Sequence, residues 1–197
     1  MAGSQYPRGL QELAQLPTVL IHQKTSVRNK YRILSPDGRE VMYAKEDSSL
    51  LHAMFSGKDR SFHIDIFDAD NVEIINLRRP YTFGADKMEV TVGKQLAGIV
   101  RQEVTFLKPV ITVNDASDRP VMRVKGPVAK TGPCKYDIFD RDKRKIGEIC
   151  KKWGGFARET FTDADSFEIV FPPNVDLRLK ASLLGACLLI DFLYYER

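Results

Sequence analysis

The stretch from Leu177 to Tyr195 constrains the fold most, because it is apolar on nearly every side of a helix. Such a helix has to be buried in a protein core or in a membrane. Its length of about 28 Å, at ~1.5 Å per residue, is borderline for a bilayer core, which needs about 20 apolar residues. Asp191 lies in the apolar part, and an aspartate near mid-bilayer costs roughly 2.5 to 3.5 kcal/mol on insertion scales. We therefore predict a helix buried in a protein core, with Gly185 at its tightest contact.

The middle of the chain consists of short alternating strands separated by turn residues. In residues 31–43 the sequence Ser-Pro-Asp-Gly at 35–38 lies between two alternating runs, which indicates a hairpin. The same unit recurs at residues 64–75, 111–124 and 136–149, and a further strand pair fits at residues 89–101. Antiparallel strands that follow one another in a domain of this size close into a barrel or stack as a sandwich. The sequence therefore predicts a mostly β fold.

The composition is that of a single globular domain. The chain has 197 residues, of which 43% are hydrophobic and 28% charged, and these values are ordinary for globular proteins. They exclude disordered, collagen-like and multi-span membrane proteins. The three cysteines, Cys134, Cys150 and Cys187, are too few and too scattered for a disulfide framework or a structural zinc site. This cysteine usage fits a reducing compartment.

The N-terminal residues carry no recognisable targeting signal. They lack the basic flank and unbroken apolar run of a signal peptide, and Gly3 follows Ala2 rather than Met1, so the myristoylation pattern fails. We expect residues 1–14 to form a flexible lead-in and residues 15–197 to form one domain. The expected location is the cytosol, unless another part of the chain holds it to a membrane.

The C-terminal part of the chain carries several runs that occur together in a known family. These are ETFTDADSF at residues 159–167, Phe171-Pro172, DLRLKA at 176–181 and GACLLIDF at 185–192. Shorter blocks precede them in the same order, namely LIHQ at 20–23, NKY at 29–31, AKED at 44–47, RP at 79–80 and VKGP at 124–127. In these runs the chain resembles the phospholipid scramblase family, from about Leu10 to Arg197.

The resemblance implies both a fold and an activity. The fold is a closed antiparallel barrel of about twelve strands around a hydrophobic C-terminal helix, as in the tubby-like proteins to which the family is similar. The activity is ATP-independent, calcium-responsive, bidirectional movement of phospholipids between membrane leaflets, at the cytoplasmic side of the plasma membrane. Animal members often carry palmitoylated cysteines after the Arg-Pro block, but residues 79–85 contain no cysteine. Since stable anchoring needs two membrane signals or a spanning helix, we also expect a cytosolic pool.

The resemblance also implies a calcium segment, made of Asp163, Asp165, Phe167, Phe171 and Asp176. Calcium takes about six to eight oxygen ligands, and read as an EF-hand loop this stretch fails because Phe167 stands where an oxygen ligand belongs. Asp-x-Asp also occurs at residues 68–70 and 140–142, in predicted hairpin turns where Asp carboxylates bond nearby backbone N–H groups. A turn followed by a strand and a weak calcium site both remain open interpretations, and Asp163 and Asp165 are the first ligands to test.

Basic residues cluster at several places, such as residues 143–145 and 151–152, and a charge run is usually a solvated surface. The alternative is a surface for anionic phospholipids, to which each nearby cation contributes on the order of 1 kcal/mol. The lipid-facing candidates are Lys151, Lys152 and Trp153, because Trp suits the membrane interface. The net charge of +4 permits an anionic partner without requiring one. Nucleic acid is not favoured, because no recognition helix or aromatic platform accompanies the charge.

No catalytic constellation is apparent in the sequence, which has no phosphate-binding loop, dinucleotide fingerprint or zinc pattern. We therefore expect a protein that is not an enzyme. Two functions stay open: a phospholipid scramblase-like transporter, and a soluble tubby-like module that binds phosphoinositides or other proteins without transport. The C-terminal helix distinguishes them, since it either crosses a membrane or fills the barrel. Its marker positions are Leu177, Gly185, Asp191 and Tyr195.

Overall fold

A computed structural model describes residues 6–23, 30–46, 61–80, 85–106, 108–128, 134–152 and 166–195. Within these residues, two helices flank twelve strands. The helices are α1 (Arg8–Gln15) and α2 (Leu177–Tyr194). The strands are β1 (Thr18–Gln23), β2 (Lys30–Leu34), β3 (Glu40–Glu46), β4 (Phe62–Asp68), β5 (Glu73–Arg79), β6 (Lys87–Val92), β7 (Gln95–Glu103), β8 (Val110–Asp115), β9 (Pro120–Lys125), β10 (Cys134–Phe139), β11 (Lys145–Lys152) and β12 (Ser166–Val170).

The strands form a closed antiparallel barrel. Each strand pairs with its neighbours in sequence, and β1 pairs with both β2 and β12, which closes the sheet. In β4 and β6 buried and part-buried residues alternate, as expected for strands with one face turned to a core. The predicted twelve-strand barrel is confirmed.

The hairpin turns follow the turn chemistry of the sequence. Asp68 Oδ1 accepts hydrogen bonds from the backbone N–H groups of Asp70 and Val72, at 3.1 and 2.9 Å. Asp115 makes the corresponding bonds to Ser117 and Arg119, at 2.9 and 3.0 Å. The Asp-x-Asp at residues 68–70 is therefore turn chemistry, as predicted.

The meander gives the barrel two different ends. The turn end carries the tight turns at residues 35–39, 69–72, 93–94, 116–119 and 140–144, together with the start of α2. The loop end carries the described parts of two connections, at residues 80, 85–86, 104–106 and 108–109, together with the ends of β9 and β11 and the last turn of α2. Register shifts lie beside the turn end, for example at Ile66/Phe67 and Ile138/Phe139. Such bulges increase strand twist and so help a sheet to curl closed.

Helix α2 fills the barrel. Its residues from Lys180 to Leu193 are all buried, and α2 contacts strands β6, β7, β8 and β12 on the inside of the wall. The helix begins at Asp176, whose Oδ1 accepts a hydrogen bond from Leu179 N at 2.9 Å, a standard N-terminal cap. The predicted burial of this helix in a protein core is confirmed.

The expected flexible lead-in differs from the structure over residues 8–14, which belong to α1. Leu10 and Leu13 are fully buried, and Lys180 Nζ of α2 donates to the carbonyl oxygens of Leu13, Ala14 and Leu16 at 3.1, 2.8 and 2.6 Å. The last carbonyls of a helix need partners from outside the helix. Lys180, far away in sequence, supplies them and fixes α1 against the turn end.

Candidate functional site

Gly185 lies where α2 closely approaches the barrel wall. A methyl group on its Cα would stand 3.0 Å from Val90 Cγ2, 3.1 Å from Met88 Cε and 3.3 Å from Leu77 Cδ2. The wall is therefore close at Gly185, but the predicted tightest contact is not confirmed, because a methyl group on Gly98 of β7 would stand only 2.6 Å from Ser182 Oγ of α2. Side chains pack protein interiors at the density of a solid, and in the described residues α2 is buried from residue 180 to residue 193. A ligand site is therefore expected at the ends or on the outer wall of the described barrel.

The loop end holds a buried polar cluster around the last turn of α2. Lys151 of β11 is fully buried, and its Nζ lies 3.6 Å from Asp191 Oδ1. The same ammonium lies 4.2 Å from the ring centroid of Tyr195 and 4.8 Å from that of Phe167. The hydroxyl of Tyr31 donates to Asp191 Oδ2 at 3.1 Å. These contacts tie α2 to β2, β11 and β12 and compensate two charges that would be costly to bury alone.

The prediction that Lys151 faces lipid is wrong, because its side chain points into the barrel. Successive side chains of a strand point to opposite faces, so adjacent lysines in β11 cannot share a surface. Lys152 points outward with 46% of its side chain exposed, and its Nζ lies 2.7 Å from Glu168 Oε2. Trp153 lies outside the described residues. Of the three lipid-facing candidates, the structure therefore places one on the outer surface.

Burial raises the pKa of two tyrosine hydroxyls and two cysteine thiols near this cluster. The hydroxyls of Tyr136 and Tyr195 lie 3.0 Å apart, and burial raises the pKa of both. Burial likewise raises the pKa of the Cys187 and Cys150 thiols. A thiol in an apolar, buried place is an inert one, so these residues contribute packing rather than reactivity.

Of the five residues predicted to bind calcium, the structure describes three. Asp163 and Asp165 lie outside the described residues. Phe167 and Phe171 are 3% and 5% exposed and offer no side-chain oxygen, whereas the Asp176 carboxylate caps α2. The described members of the set do not fit a calcium ion, and within the described ranges no three His, Cys, Asp or Glu residues are grouped to hold a metal. The calcium prediction therefore rests on Asp163 and Asp165.

The outer wall between β9 and β10 carries a groove of about 350 Å³, which we call the basic groove. Four cationic side chains and one carboxylate contribute to it, beside an apolar floor. It is lined by Pro120, Val121, Met122, Arg123, Lys125, Phe139, Asp140, Arg141 and Lys143. A small concave surface with excess positive charge suits an anionic group such as a phosphate.

The cations of the basic groove are positioned by their neighbours. Lys125 Nζ stands 4.9 Å from the Phe139 ring centroid, and Arg141 Nε donates to the carbonyl oxygen of Pro120 at 2.9 Å. Arg123 Nε donates to Glu103 Oε1 at 2.8 Å, and this pairing lowers the pKa of the Glu103 carboxyl. Among the described residues, Lys125 and Lys143 form no salt bridge, so their charge remains available to a ligand.

Sequence reasoning does not find the basic groove, because its residues come from two strands and a turn. Within the basic run at residues 143–145 only Lys143 lines it. Arg144 pairs with Asp140 at 2.8 Å and Lys145 pairs with Asp137 at 2.7 Å. The feature of the sequence that could have indicated the groove is the spacing of Arg123 and Lys125, since residues two apart in a strand share one face.

None of the helices in the described part of the chain is both long enough and apolar enough to span a bilayer. Helix α2 carries Arg178, Lys180 and Asp191. Each charged residue raises the cost of inserting a helix into hydrocarbon.

Comparison with known proteins shows which family this chain is similar to. A family model described as Scramblase matches residues 2–197. Phospholipid scramblase 1 of Mus musculus is 32% identical over 212 residues, which cover 97% of this chain and 65% of that protein. Phospholipid scramblase 1 of Homo sapiens is 32% identical, with 96% and 66% covered, and Phospholipid scramblase family member 5 of Homo sapiens is 31% identical, with 96% and 78% covered. The chain thus spans just under two thirds of the length of the first two relatives.

A solved structure of a protein from Arabidopsis thaliana has a similar fold. It superposes with a TM-score of 0.50 over 90% of this chain and 94% of that chain, at 16% sequence identity. At this identity the likeness supports the architecture of the barrel alone.

Proposed function

The chain belongs to the scramblase family, and from this premise we propose that it moves phospholipids in both directions between the leaflets of a membrane without ATP. The observation that carries the proposal is the family match across residues 2–197, together with relatives named phospholipid scramblases. The proposed activity is transport rather than chemical catalysis. Its proposed place is the cytoplasmic side of the plasma membrane, with a cytosolic pool.

The geometry supports a route along the outer wall. Since α2 fills the barrel, a lipid headgroup cannot pass through its centre, whereas the basic groove is open to solvent and positively charged. Lys125 and Lys143 are the groove cations proposed to meet a phosphate. Anionic headgroups are attracted to such a surface at about 1 kcal/mol per nearby cation.

Proteoliposomes with a fluorescent phospholipid test the activity. The expected result is that the fraction of inner-leaflet probe accessible to an external reductant rises with protein dose. The variant Lys125→Glu/Lys143→Glu is expected to reduce both this rate and sedimentation with anionic vesicles. Unchanged probe accessibility at every dose would contradict the transport proposal.

The double variant Lys45→Glu/Lys94→Glu is a matched control for the groove variant Lys125→Glu/Lys143→Glu. Lys45 Nζ lies 4.8 Å from the Tyr43 ring centroid, as Lys125 lies over Phe139. Lys94 and Lys143 both occupy the left-handed backbone region in a turn, with φ of 70° and 64°. The two pairs make the same change of charge, but only Lys125 and Lys143 line the groove. Equal losses of lipid exchange and vesicle sedimentation in both variants would show a general effect of charge rather than a role of the groove.

The second candidate function is a soluble barrel that binds phosphoinositides or proteins without transport. The specific observation that favours it is the burial of α2, whose residues 180–193 are enclosed by the wall. It predicts groove-dependent sedimentation with anionic vesicles and no lipid exchange. Exchange that rises with protein dose would exclude it.

Calcium responsiveness is proposed to depend on Asp163 and Asp165. With so few carboxylates in reach, binding should be weak, in the upper micromolar range or above. Calorimetry with Asp163→Asn/Asp165→Asn is expected to show loss of calcium binding. The control Asp142→Asn, which changes an exposed turn aspartate of another Asp-x-Asp pair, is expected to leave calcium binding unchanged. Submicromolar binding would contradict the weak site.

A further inference from the structure

We propose that the loop end of the barrel carries a membrane-inserting tip made of Val104, Phe106 and Val128. Their exposed fractions are 79%, 102% and 65%, the highest among the exposed large hydrophobic residues of the described chain. Val104 and Phe106 belong to the β7–β8 connection, and Val128 follows β9 at the same end. Clustered exposed apolar residues mark contact sites with a membrane or another molecule. The choice of a phospholipid surface rests on the proposed function.

The tip is held in place by contacts between its two connections. Gly126 N donates to the carbonyl oxygen of Pro109 at 2.8 Å. A methyl group on Gly126 would stand 2.5 Å from both Pro109 Cγ and Tyr136 Cε1, so only glycine allows this approach. The Thr105 hydroxyl donates to the carbonyl oxygen of Lys108. Because these described positions are already tied together, less conformational entropy is lost when the tip enters a surface.

The charges beside the tip favour an anionic surface. Lys108 is exposed in the same connection as Phe106, and Lys125 immediately precedes Gly126. Lys152, half exposed, ends β11 at the same end of the barrel. The nearby Glu103 is paired with Arg123, which reduces its repulsion of anionic lipid. Apolar side chains flanked by lysines are the pattern of segments that bind at a lipid interface.

The size of the tip favours a lipid surface over a protein partner. A stable protein interface takes about 20 to 30 residues from each side, whereas interfacial binding needs only a few apolar side chains with cations around them. Insertion would also bring the Lys125 end of the basic groove to the level of the headgroups.

The test uses the full chain and vesicles of phosphatidylcholine with phosphatidylserine. Val104→Asp/Phe106→Asp is expected to lower the vesicle partition coefficient at least ~10-fold, because two apolar side chains no longer leave water. The matched control is Val72→Asp, whose valine is 44% exposed at the turn end, and it is expected to partition like the unmodified chain. All variants should keep the thermal midpoint of the unmodified chain.

A fluorescence measurement reports insertion directly. Phe106→Trp is expected to show a blue shift and quenching by brominated lipids beyond that of the unmodified chain, and Val72→Trp is expected to show neither. Equal signals from the two positions, or tip variants that partition unchanged, would overturn the proposal. Tip variants that abolish a dimer in solution without changing partition would also overturn it, in favour of a second copy as occupant.

The tests distinguish failure of the tip proposal from failure of the proposed transport function. Insertion without lipid exchange supports the tip and contradicts transport. Exchange at the full rate by a chain with the Asp substitutions supports transport and contradicts the tip.

Discussion

Each end of the barrel buries a lysine where α2 meets another element, but the two lysines are held in different ways. At the turn end, Lys180 donates to three carbonyl oxygens of the chain at and after α1, and burial lowers its pKa. At the loop end, Lys151 lies beside the Asp191 carboxylate and two aromatic rings. The carbonyl partners of Lys180 are neutral, so its positive charge is buried without an opposite charge. The charges of Lys151 and Asp191 compensate each other.

The difference between the two lysines matches the difference between the ends. The turn end is closed by local hydrogen bonds in tight turns and by α1, and we assign it a structural role. The loop end is held by contacts between residues distant in sequence and presents the exposed tip. A closed barrel can thus hold its two ends by different contacts, with tight turns and α1 at one end and a buried ion pair at the other.

The largest expected effect comes from Gly185→Leu, because Gly185 lies in the middle of α2, the helix that contacts at both ends hold in place. Overpacking a core typically costs ~1–3 kcal/mol and occasionally more. We expect a cost above that typical range here, because Leu adds several heavy atoms against three close neighbours. We expect loss of most of the ~5–15 kcal/mol that stabilises a domain, seen as loss of the cooperative thermal transition. Val72→Leu, in an exposed turn, is the control. A Gly185→Leu chain, or one ending at Asp176, that stays folded and only becomes more soluble would show that the helix is an anchor.

At the loop end, Lys151→Met is expected to destabilise the protein by about 3–5 kcal/mol, because it removes one member of a buried ion pair. The double variant Lys151→Met/Asp191→Leu should cost clearly less than the sum of the two single variants. Urea unfolding of all four chains measures this coupling. Strict additivity would mean that the pair contributes nothing specific to holding α2.

At the turn end, Lys180→Met is expected to cost about 1–3 kcal/mol, since carbonyl groups lose a donor. The matched control is Arg178→Met, a substitution two residues away on the exposed side of α2, where the effect should stay within ~0.5 kcal/mol. Urea unfolding again provides the comparison. A cost equal to that of Lys151→Met would remove the distinction between the two ends.

The smallest effect concerns Asp118 in the β8–β9 turn, whose hydrogen bonds from Arg101 lower its pKa to about 2. A carboxyl whose folded pKa lies below the unfolded value adds stability above the unfolded pKa and loses it as the pH falls through the folded one. Since about a third of both side chains is exposed, the contribution should be under ~1 kcal/mol.

Asp118→Asn tests this turn, because Asn also tolerates the positive φ of 61° at this position. The urea midpoint of the variant should lie below that of the unmodified chain at pH 7, and the gap should shrink as the pH is lowered from about 4 to about 2. A gap that does not change with pH would assign the effect to turn geometry rather than to charge.

Several features of the molecule could be predicted because they depend on neighbours along the chain. The turn at Asp68 forms hydrogen bonds two and four residues away, and the apolar character of α2 is visible within the helix itself. The close contact at Gly185 follows from the same logic, since a helix enclosed by a wall needs a small residue where the two approach.

Other features depended on residues that the sequence keeps far apart. Helix α1 was expected to be flexible, because its own short sequence does not show that Lys180 would supply partners for its last carbonyl groups. The basic groove likewise combines Arg123 and Lys125 with a later turn.

The sequence by itself determined the hairpin order, the buried helix and the family. Only the tertiary structure decided that Lys151 faces Asp191 while Lys152 faces solvent, and that Phe106 and Val128 lie at the same end of the barrel. The physical reason is register: alternation along a strand puts neighbouring residues on opposite faces, but the pairing of β11 with β10 and β12 decides which of the faces is the inside.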